Sequence, residues 1–486
     1  MIAFLYAVAM AVLLVYGLNL LWLSLGPARA LPEWQGPESD DATAPAVTVQ
    51  LPVYNEAHVI ERLIDACARL DYPQDKLEIQ VLDDSADETS TLADARVAYW
   101  RQRGVSIRTV RRPTRRGFKA GALAYGLERA NGEFIAIFDA DFVPQPDFLK
   151  RIIPRFDSPD VGLVQARWGH LNRSQSWLTQ VQALALDAHF CVEQAGRNNA
   201  GCFMNFNGTA GVWRRTCIED AGGWKADTLT EDLDLSYRAQ LNGWRLRLAP
   251  DVEVPAELPA NVNALRTQQF RWTKGGAEVA RKLLRRLWTS SQRFGVKLQG
   301  SIHLLAPLVF PCILVAALLH PPLLLSSESA DGPGQLYFTI MGLGIFGFVG
   351  FFLAQVRAQR SLKKNWARRL RLFPVFAAGM IGLSVNNTWA VLQALVGKQT
   401  SFVRTPKFSA EIFSAGTSAA WWKSRYANTQ IDQMAWVEVG LFAYSIGGLG
   451  MLMAAGVWTA VPFQVLFAAS FAFFASYSFR QARLPH

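Results

Sequence analysis

Phe134-Ile135-Ala136-Ile137-Phe138, followed at once by Asp139-Ala140-Asp141, is the stretch on which the fold turns. Five apolar residues bounded by turn signals read as a strand buried on both faces, as the strands of parallel sheets are. Working outward, β-rich runs at 47–53, 77–83, 105–110, 133–139 and 161–166 alternate with helical apolar spacing at 56–70, 119–130 and 146–155. Such alternation predicts an α/β domain whose mostly parallel sheet is covered on both faces, with a ligand site at the carboxyl ends of the strands.

The polar residues at those ends are acidic. Pro52-Val53-Tyr54-Asn55-Glu56 closes the first run, Asp83-Asp84-Ser85 the second, and Asp139 and Asp141 the fourth. Carboxylates gathered at one sheet edge repel one another unless a cation or hydrogen-bond donors compensate. Mg²⁺ or Mn²⁺ carried by a nucleotide diphosphate fits, because such ions take a few carboxylates plus phosphate oxygens. An Asp-x-Asp alone is weak, on the order of one being expected by chance in a chain this long, and Asp232-Leu233-Asp234 is another. Placement directly after an apolar strand lifts Asp139 and Asp141 above the plain alternative of solvated turn aspartates.

Further along, Thr230-Glu231-Asp232 opens a helical pattern in which Leu233, Tyr237 and Leu241 share a face, with Thr230 in place to cap it. A helix N-terminus favours an ionised Asp232, which suits a general base taking a proton from a sugar hydroxyl; the plain alternative is that these acids only complement the helix dipole. Gln268-Gln269-Phe270-Arg271-Trp272 precedes a basic amphipathic stretch, 278–297, whose Val279, Leu283 and Leu287 can rest on a bilayer. Arginine suits a departing diphosphate and an indole face suits a pyranose ring, although an Arg-Trp pair near a membrane is also a common interfacial anchor.

The rest of the chain is apolar. Of 486 residues, 51% are hydrophobic and 18% charged, which is apolar for a soluble protein. Runs at 2–24, 302–325, 336–356, 434–456 and 461–479 are each about the length that crosses a bilayer. The net charge of +10 sits largely beside these runs, in Arg281, Lys282, Arg285 and Arg286 and in seven Lys or Arg between Arg357 and Arg371. That is the positive-inside pattern, and no aromatic-and-basic stripe argues for nucleic acid. The cysteines Cys67, Cys191, Cys202, Cys217 and Cys312 lack metal-ligand spacing, and no disulfide is expected. No Lys or Arg precedes the first run, so an uncleaved helix is favoured over a signal peptide.

The segment 372–397 breaks its apolar stretch at Asn386-Asn387. Were it to cross, Lys398, Arg404 and Lys407 would be external, against the charge rule. The expected organisation is therefore five spans, with six as the alternative: a transmembrane helix at 1–26, a cytosolic domain at 27–277, an amphipathic interfacial helix at 278–297, and helices two and three within 298–356. A cytosolic or interfacial segment then covers 357–433, and helices four and five lie within 434–486.

The ordered set Asp83-Asp84, Asp139-Ala140-Asp141, Thr230-Glu231-Asp232 and Gln268 to Trp272 resembles the processive family-2 glycosyltransferases, the cellulose, chitin and hyaluronan synthase group. Gln80-Val81-Leu82-Asp83-Asp84-Ser85, Gly117-Phe118-Lys119-Ala120-Gly121, Gly162 to Trp168 and Phe206-Asn207-Gly208-Thr209 are most similar to the cellulose-synthase-like A and C proteins of plants and their bacterial relatives. The resemblance is strong over 47–285 and weak beyond. It implies a GT-A, Rossmann-like domain inserted in an α-helical membrane domain. Tyr54, Glu56, Asp83 and Asp84 would then meet the nucleoside, with Lys119, Gln268 and Arg271 at the diphosphate. Asp139 would lie at the diphosphate and, with Asp141, hold the metal. Asp232 would be the general base, with Glu231 beside it. Phe206, Asn207 and Gly208 would border the acceptor, with Trp272 at its end. Phe402-Val403-Arg404-Thr405-Pro406-Lys407 resembles a gating loop, from whose usual form Arg404 and Pro406 depart.

These readings imply a β-1,4-glucan or β-mannan synthase with a nucleotide-sugar donor, a growing polysaccharide acceptor and a lipid bilayer as partners. No nucleic acid is expected, and an accessory export protein is an expected partner. UDP-glucose is expected slightly ahead of GDP-mannose. The alternatives are a transferase that glucosylates a lipid and a non-catalytic transporter. High Ala and Arg use fits a bacterial inner membrane, and no regulatory module is expected after the last run.

Overall fold

The computed structural model describes residues 1–26, 34, 36, 42–326, 334–362, 365–400, 404, 405, 407 and 433–482. Its centre is a seven-stranded sheet of β1 (Val47–Val53), β2 (Leu77–Asp83), β3 (Ile107–Val110), β4 (Phe134–Ile137), β5 (Val161–His170), β6 (Gly211–Arg214) and β7 (Arg245–Ala256), in the order β3-β2-β1-β4-β6-β5-β7. β1 pairs in parallel with β2 and β4, so all three deliver their carboxyl ends to one edge. The deciding strand is buried throughout, from Phe134 to Phe138.

One apolar core lies on each face of the sheet. Val49, Leu51, Ile79, Val81 and Ala136 face the helices Ile60–Ala68 and Thr89–Arg101. Ile135, Ile137, Leu163 and Trp213 face the other way, against Leu123 of Phe118–Leu127 and Leu235 of Glu231–Leu241. The sheet is more mixed than the alternation predicts, because β6 runs antiparallel to both β4 and β5. β6 reads Gly211-Val212-Trp213-Arg214, neither an apolar run nor an alternation, which is why neither it nor its direction is legible in the sequence.

Two further differences concern helices. The interfacial stretch expected at 278–297 is the end of one 28-residue helix, Val262–Thr289, which closes at Ser290 and is followed by Phe294–Leu304. Gly275 survives inside it because the helix lies against Thr230: an added Cβ would come within 2.5 Å of the threonine methyl. The boundary expected at 277 therefore falls within a helix that belongs to the site.

Six helices among the described residues are long and apolar enough to cross a membrane: Ile2–Leu25, Ala306–Ser326, Tyr337–Ser361, Phe373–Leu395, Gln433–Ala454 and Trp458–Arg480. The asparagines that interrupt the apolar run of 372–397 do not interrupt its helix. Phe373–Leu395 is one continuous helix of 23 residues. Its asparagines do not break it because they are buried and bonded within the protein, Asn386 Nδ2 donating to Arg266 O at 3.1 Å and to Asn387 Oδ1 at 2.9 Å. Both ends of this helix touch the domain side. Phe373 and Phe376 pack on Val181 and Leu184, and Arg281 donates to Ala394 O at 2.8 Å.

Candidate functional site

The carboxyl ends of β1, β2 and β4 open into a cleft of about 180 Å³ lined by polar and aromatic side chains. Glu56 follows β1, Asp84 follows β2, and Asp139 and Asp141 follow β4. Asp84 is clamped by Arg112, whose Nε donates at 2.8 Å, and the guanidinium of Arg115 lies 3.3 Å from the Tyr54 ring centroid. This stacking presents a flat aromatic-cation wall beside the strand ends.

Lys119 is the central cation. It sits in the first turn of Phe118–Leu127, pairs with Asp139 and donates to Gly208 O at 2.9 Å. Burial works against its charge, but Asp139, Glu231 and Asp232 outweigh it and hold the ammonium above its usual range. The backbone N–H of Asp139 donates to Thr209 Oγ1 at 2.9 Å, fixing the turn. Gly208 has a φ of +85°, and a Cβ there would lie 3.0 Å from Asp232 Oδ2. Only glycine adopts this backbone without strain and leaves the carboxylate its room.

Asp232 occupies the first turn of Glu231–Leu241, where its Oδ1 accepts from Leu233 N at 2.9 Å. Thr230 stands at the cap position but makes no capping bond through its side chain, so the expected cap is corrected. Burial, and then the neighbouring Glu231, push the Asp232 carboxyl up to about 7. Burial raises Glu231 as well, against the pull of Lys119. The sequence reading of an ionised Asp232 therefore describes only the helix-dipole part of its environment; desolvation is larger.

Gln268, Arg271 and Trp272 all line the cleft. Their i, i+3, i+4 spacing places them on one face of Val262–Thr289. Trp272 lies 6.4 Å from Trp168, ring to ring, making an aromatic end to the cleft. On the opposite side, Arg404 donates to Glu56 Oε2 at 2.7 Å and Lys407 to Asp141 Oδ2 at 2.6 Å. Burial still pushes Glu56 up to about 7 despite Arg404.

Among the described residues, two expected site residues do not line the cleft. Asp83 is buried behind it, accepting from Ser85 N and Ser90 Oγ and pairing with Arg111. Phe206 is fully buried against Trp213 and Trp224. Phe402 lies outside the described residues. The sequence reading passed over Arg112, Arg115, Trp168 and Glu257, which the structure brings to the cleft or its wall. The strand-end rule reaches two of them, since Arg112 follows β3 and Glu257 follows β7.

Residues 45–275 match the family described as glycosyltransferase-like family 2. This part of the chain is a family-2 glycosyltransferase domain. The glycosyltransferase domain carries the sequence likenesses to curated proteins too. "Probable glucomannan 4-beta-mannosyltransferase 7" of Oryza sativa subsp. japonica is 49% identical over 244 residues, covering 49% of this chain and 42% of that protein. "Glucomannan 4-beta-mannosyltransferase 2" of Arabidopsis thaliana is 44% identical over 252 residues, 51% and 47% of the two chains. The chain thus spans less than half the length of these curated relatives. Among solved structures, a mannosyltransferase from Pyrobaculum calidifontis, in complex with GDP-Man and Mn²⁺, aligns over 82% of this chain and all of its own, with a TM-score of 0.56 at 20% identity. That likeness carries the GT-A fold of the glycosyltransferase domain and nothing finer.

Proposed function

We propose that the protein is a membrane-embedded, inverting glycosyltransferase that builds a β-1,4-linked mannan or glucomannan and passes the chain across the bilayer. The observation that carries this reading is the convergence of Asp232, Lys119, Asp139 and Arg271 with Trp272 and Gly208 in one cleft. Asp232 would take the proton from an acceptor hydroxyl as that oxygen bonds to the anomeric carbon and the nucleoside diphosphate departs. Arg271, Gln268 and Lys119 would meet the charge that develops on the diphosphate. Tyr54, Glu56 and Asp84 would border the nucleoside; Asn207, Gly208 and Trp272 would border the acceptor.

Asp139 and Asp141 fit a divalent cation. Both are carboxylates on one turn, and each is paired with an ammonium group, Lys119 or Lys407, that a bound cation would displace. They would hold Mg²⁺ or Mn²⁺, which when bound neutralises diphosphate charge. Residues 402–407 would close over the donor, exchanging the contacts of Arg404 and Lys407 for phosphate oxygens.

The donor is proposed to be GDP-mannose. The relatives named above are mannosyltransferases, and the expectation of UDP-glucose finds no support among them. The relatives are plant proteins, so the expected bacterial inner membrane is unsupported as well. Membrane vesicles should convert labelled GDP-mannose, in preference to labelled UDP-glucose, into a long polymer that an endo-β-1,4-mannanase degrades. A product extracted as a glycolipid would instead favour single transfer to a lipid, and glucose incorporation alone would overturn the donor.

The helix Phe373–Leu395 is proposed to lie along the membrane surface, since both its ends meet the domain side. In a protein lacking the five native cysteines, single cysteines at Arg371 and Gln399 should both react with a membrane-impermeant reagent from the face that carries the glycosyltransferase domain. Reaction from opposite faces would make this helix a sixth span and reverse the placement of residues 402–407.

A further inference from the structure

The chain between β5 and β6 contains an element that the proposed chemistry has not used. The helix Trp177–Ala188 does not simply continue: residues His189–Gln194 adopt a π-helical turn before Ala195–Asn199 resumes. In an α-helix, residues five apart point about 140° away from each other. The wider i→i+5 pattern of a π-turn brings them nearer to one face instead, and such bulges recur at functional sites. Here the pair is His189 and Gln194, and both meet one side chain, Asn207. His189 Nε2 lies 2.9 Å from Asn207 Nδ2, and Gln194 Nε2 donates to Asn207 Oδ1 at 2.8 Å.

The partners themselves are held. Gln194 is fully buried; its Nε2 also donates to Asn205 O at 2.6 Å, and its Oε1 accepts from Arg197 at 3.3 Å. The Asn207 backbone N–H donates to the fully buried Gln165 at 3.0 Å. With its oxygen fixed by Gln194, the Asn207 amide has its nitrogen towards His189, which must therefore accept at Nε2 and be neutral. Burial favours that form, pushing His189 down to about 4. One N–H of the amide remains for the cleft that Asn207 lines. The next residue is Gly208, whose missing side chain leaves room for Asp232.

We infer that His189 and Gln194 are positioning residues for the acceptor: through the π-turn they lock the Asn207 amide so that it donates to a hydroxyl of the acceptor's terminal sugar beside Asp232. The inference rests on the proposed glycosyl transfer. It assigns no part to either residue in donor binding.

The test uses full-length protein in membranes, with GDP-mannose and added β-1,4-manno-oligosaccharide. His189→Leu should raise the KM for the oligosaccharide about tenfold, the worth of one hydrogen bond that orders a buried amide, while the affinity for GDP stays within twofold. His189→Gln, whose amide oxygen can accept from Asn207, should recover most of the loss. In an Asn207→Ala background His189→Leu should add nothing, because it acts through the missing amide. An unchanged oligosaccharide KM in His189→Leu, or an additive effect in the double variant, overturns the inference. Loss of GDP affinity together with the KM change would mean general misfolding of this wall and would also overturn it. Wild-type protein that transfers from no nucleotide sugar would sink the proposed function itself, a separate outcome.

Discussion

The floor of the cleft is assembled from residues that follow their strands by one to four positions, with Gly208 just before β6 and Asp232 in the first turn of Glu231–Leu241, whereas Arg404 and Lys407 reach Glu56 and Asp141 across 348 and 266 positions of chain. The floor is bound to a parallel ladder with apolar cores on both faces, and it cannot move without breaking that ladder. Among the described residues, the roof meets the floor through two partly buried ion pairs. Chemistry that needs a fixed base and a removable cover divides naturally along this line: Asp232 and Gly208 belong to the rigid part, and the two cations can be exchanged for a ligand's negative charge.

If that division is right, the largest effect belongs to the rigid part. Asp232→Asn keeps the shape of the side chain but cannot take a proton, so turnover should fall by about 10²-fold or more while nucleotide affinity stays nearly intact. Retention of more than about a tenth of wild-type turnover would remove Asp232 from the role of base.

Asp141 joins the two parts, being a floor residue that holds the roof through Lys407. Asp141→Asn should raise the Mn²⁺ or Mg²⁺ concentration needed for half-maximal activity about tenfold, and a chelator should stop wild-type activity. Purified protein that works equally well in chelator would take the metal out of the scheme.

What the sequence reveals of the site follows the same division. β1, β2, β4 and β5 are readable because each is a buried apolar run, and the acids at their ends come with them. Asn207 and Gly208 are recognisable only by resemblance, since their placement depends on a glycine at positive φ and on a π-turn some fifteen residues earlier, neither of which has a periodic signature. Phe206 shows the converse: Asn207 and Gly208 after it line the cleft, but its own ring packs in the core against Trp213 and Trp224. The contacts of Arg404 and Lys407 are unreadable from spacing, because a loop's docking site depends on everything folded before it.

A smaller change should follow from loosening the roof alone. Arg404→Ala removes a charge-assisted hydrogen bond and leaves Glu56 buried without that partner. The donor KM should rise by about three- to tenfold with little change in turnover at saturation, since the bond that Arg404 would make to the donor replaces its bond to Glu56 and the net gain is that of an ordinary hydrogen bond, about 1 kcal/mol. A fall in turnover of the size seen for Asp232→Asn would mean that the roof is as integral to the chemistry as the floor.

The smallest effect is on stability, and it reads the desolvation of the floor directly. Asp232 and Glu56 have carboxyls raised to about 7, far above their ordinary range, chiefly by burial. Between that ordinary range and about 7 the folded protein holds protons that the unfolded chain has released, so stability contributed by these groups falls as pH rises and levels off above it. His189, lowered to about 4, acts in the opposite sense between about 4 and its ordinary 6.5, since there the unfolded chain binds the extra proton. The two trends are separated by comparison. Asp232→Asn removes one acid and leaves the histidine, so its melting temperature relative to wild type should climb from pH 5 to pH 7 and then stay level. Thermal unfolding in detergent across that range measures the difference. A difference that stays constant with pH would show that Asp232 is solvated in the donor-free protein, and the contrast between a desolvated floor and an exchangeable roof would lose its physical basis.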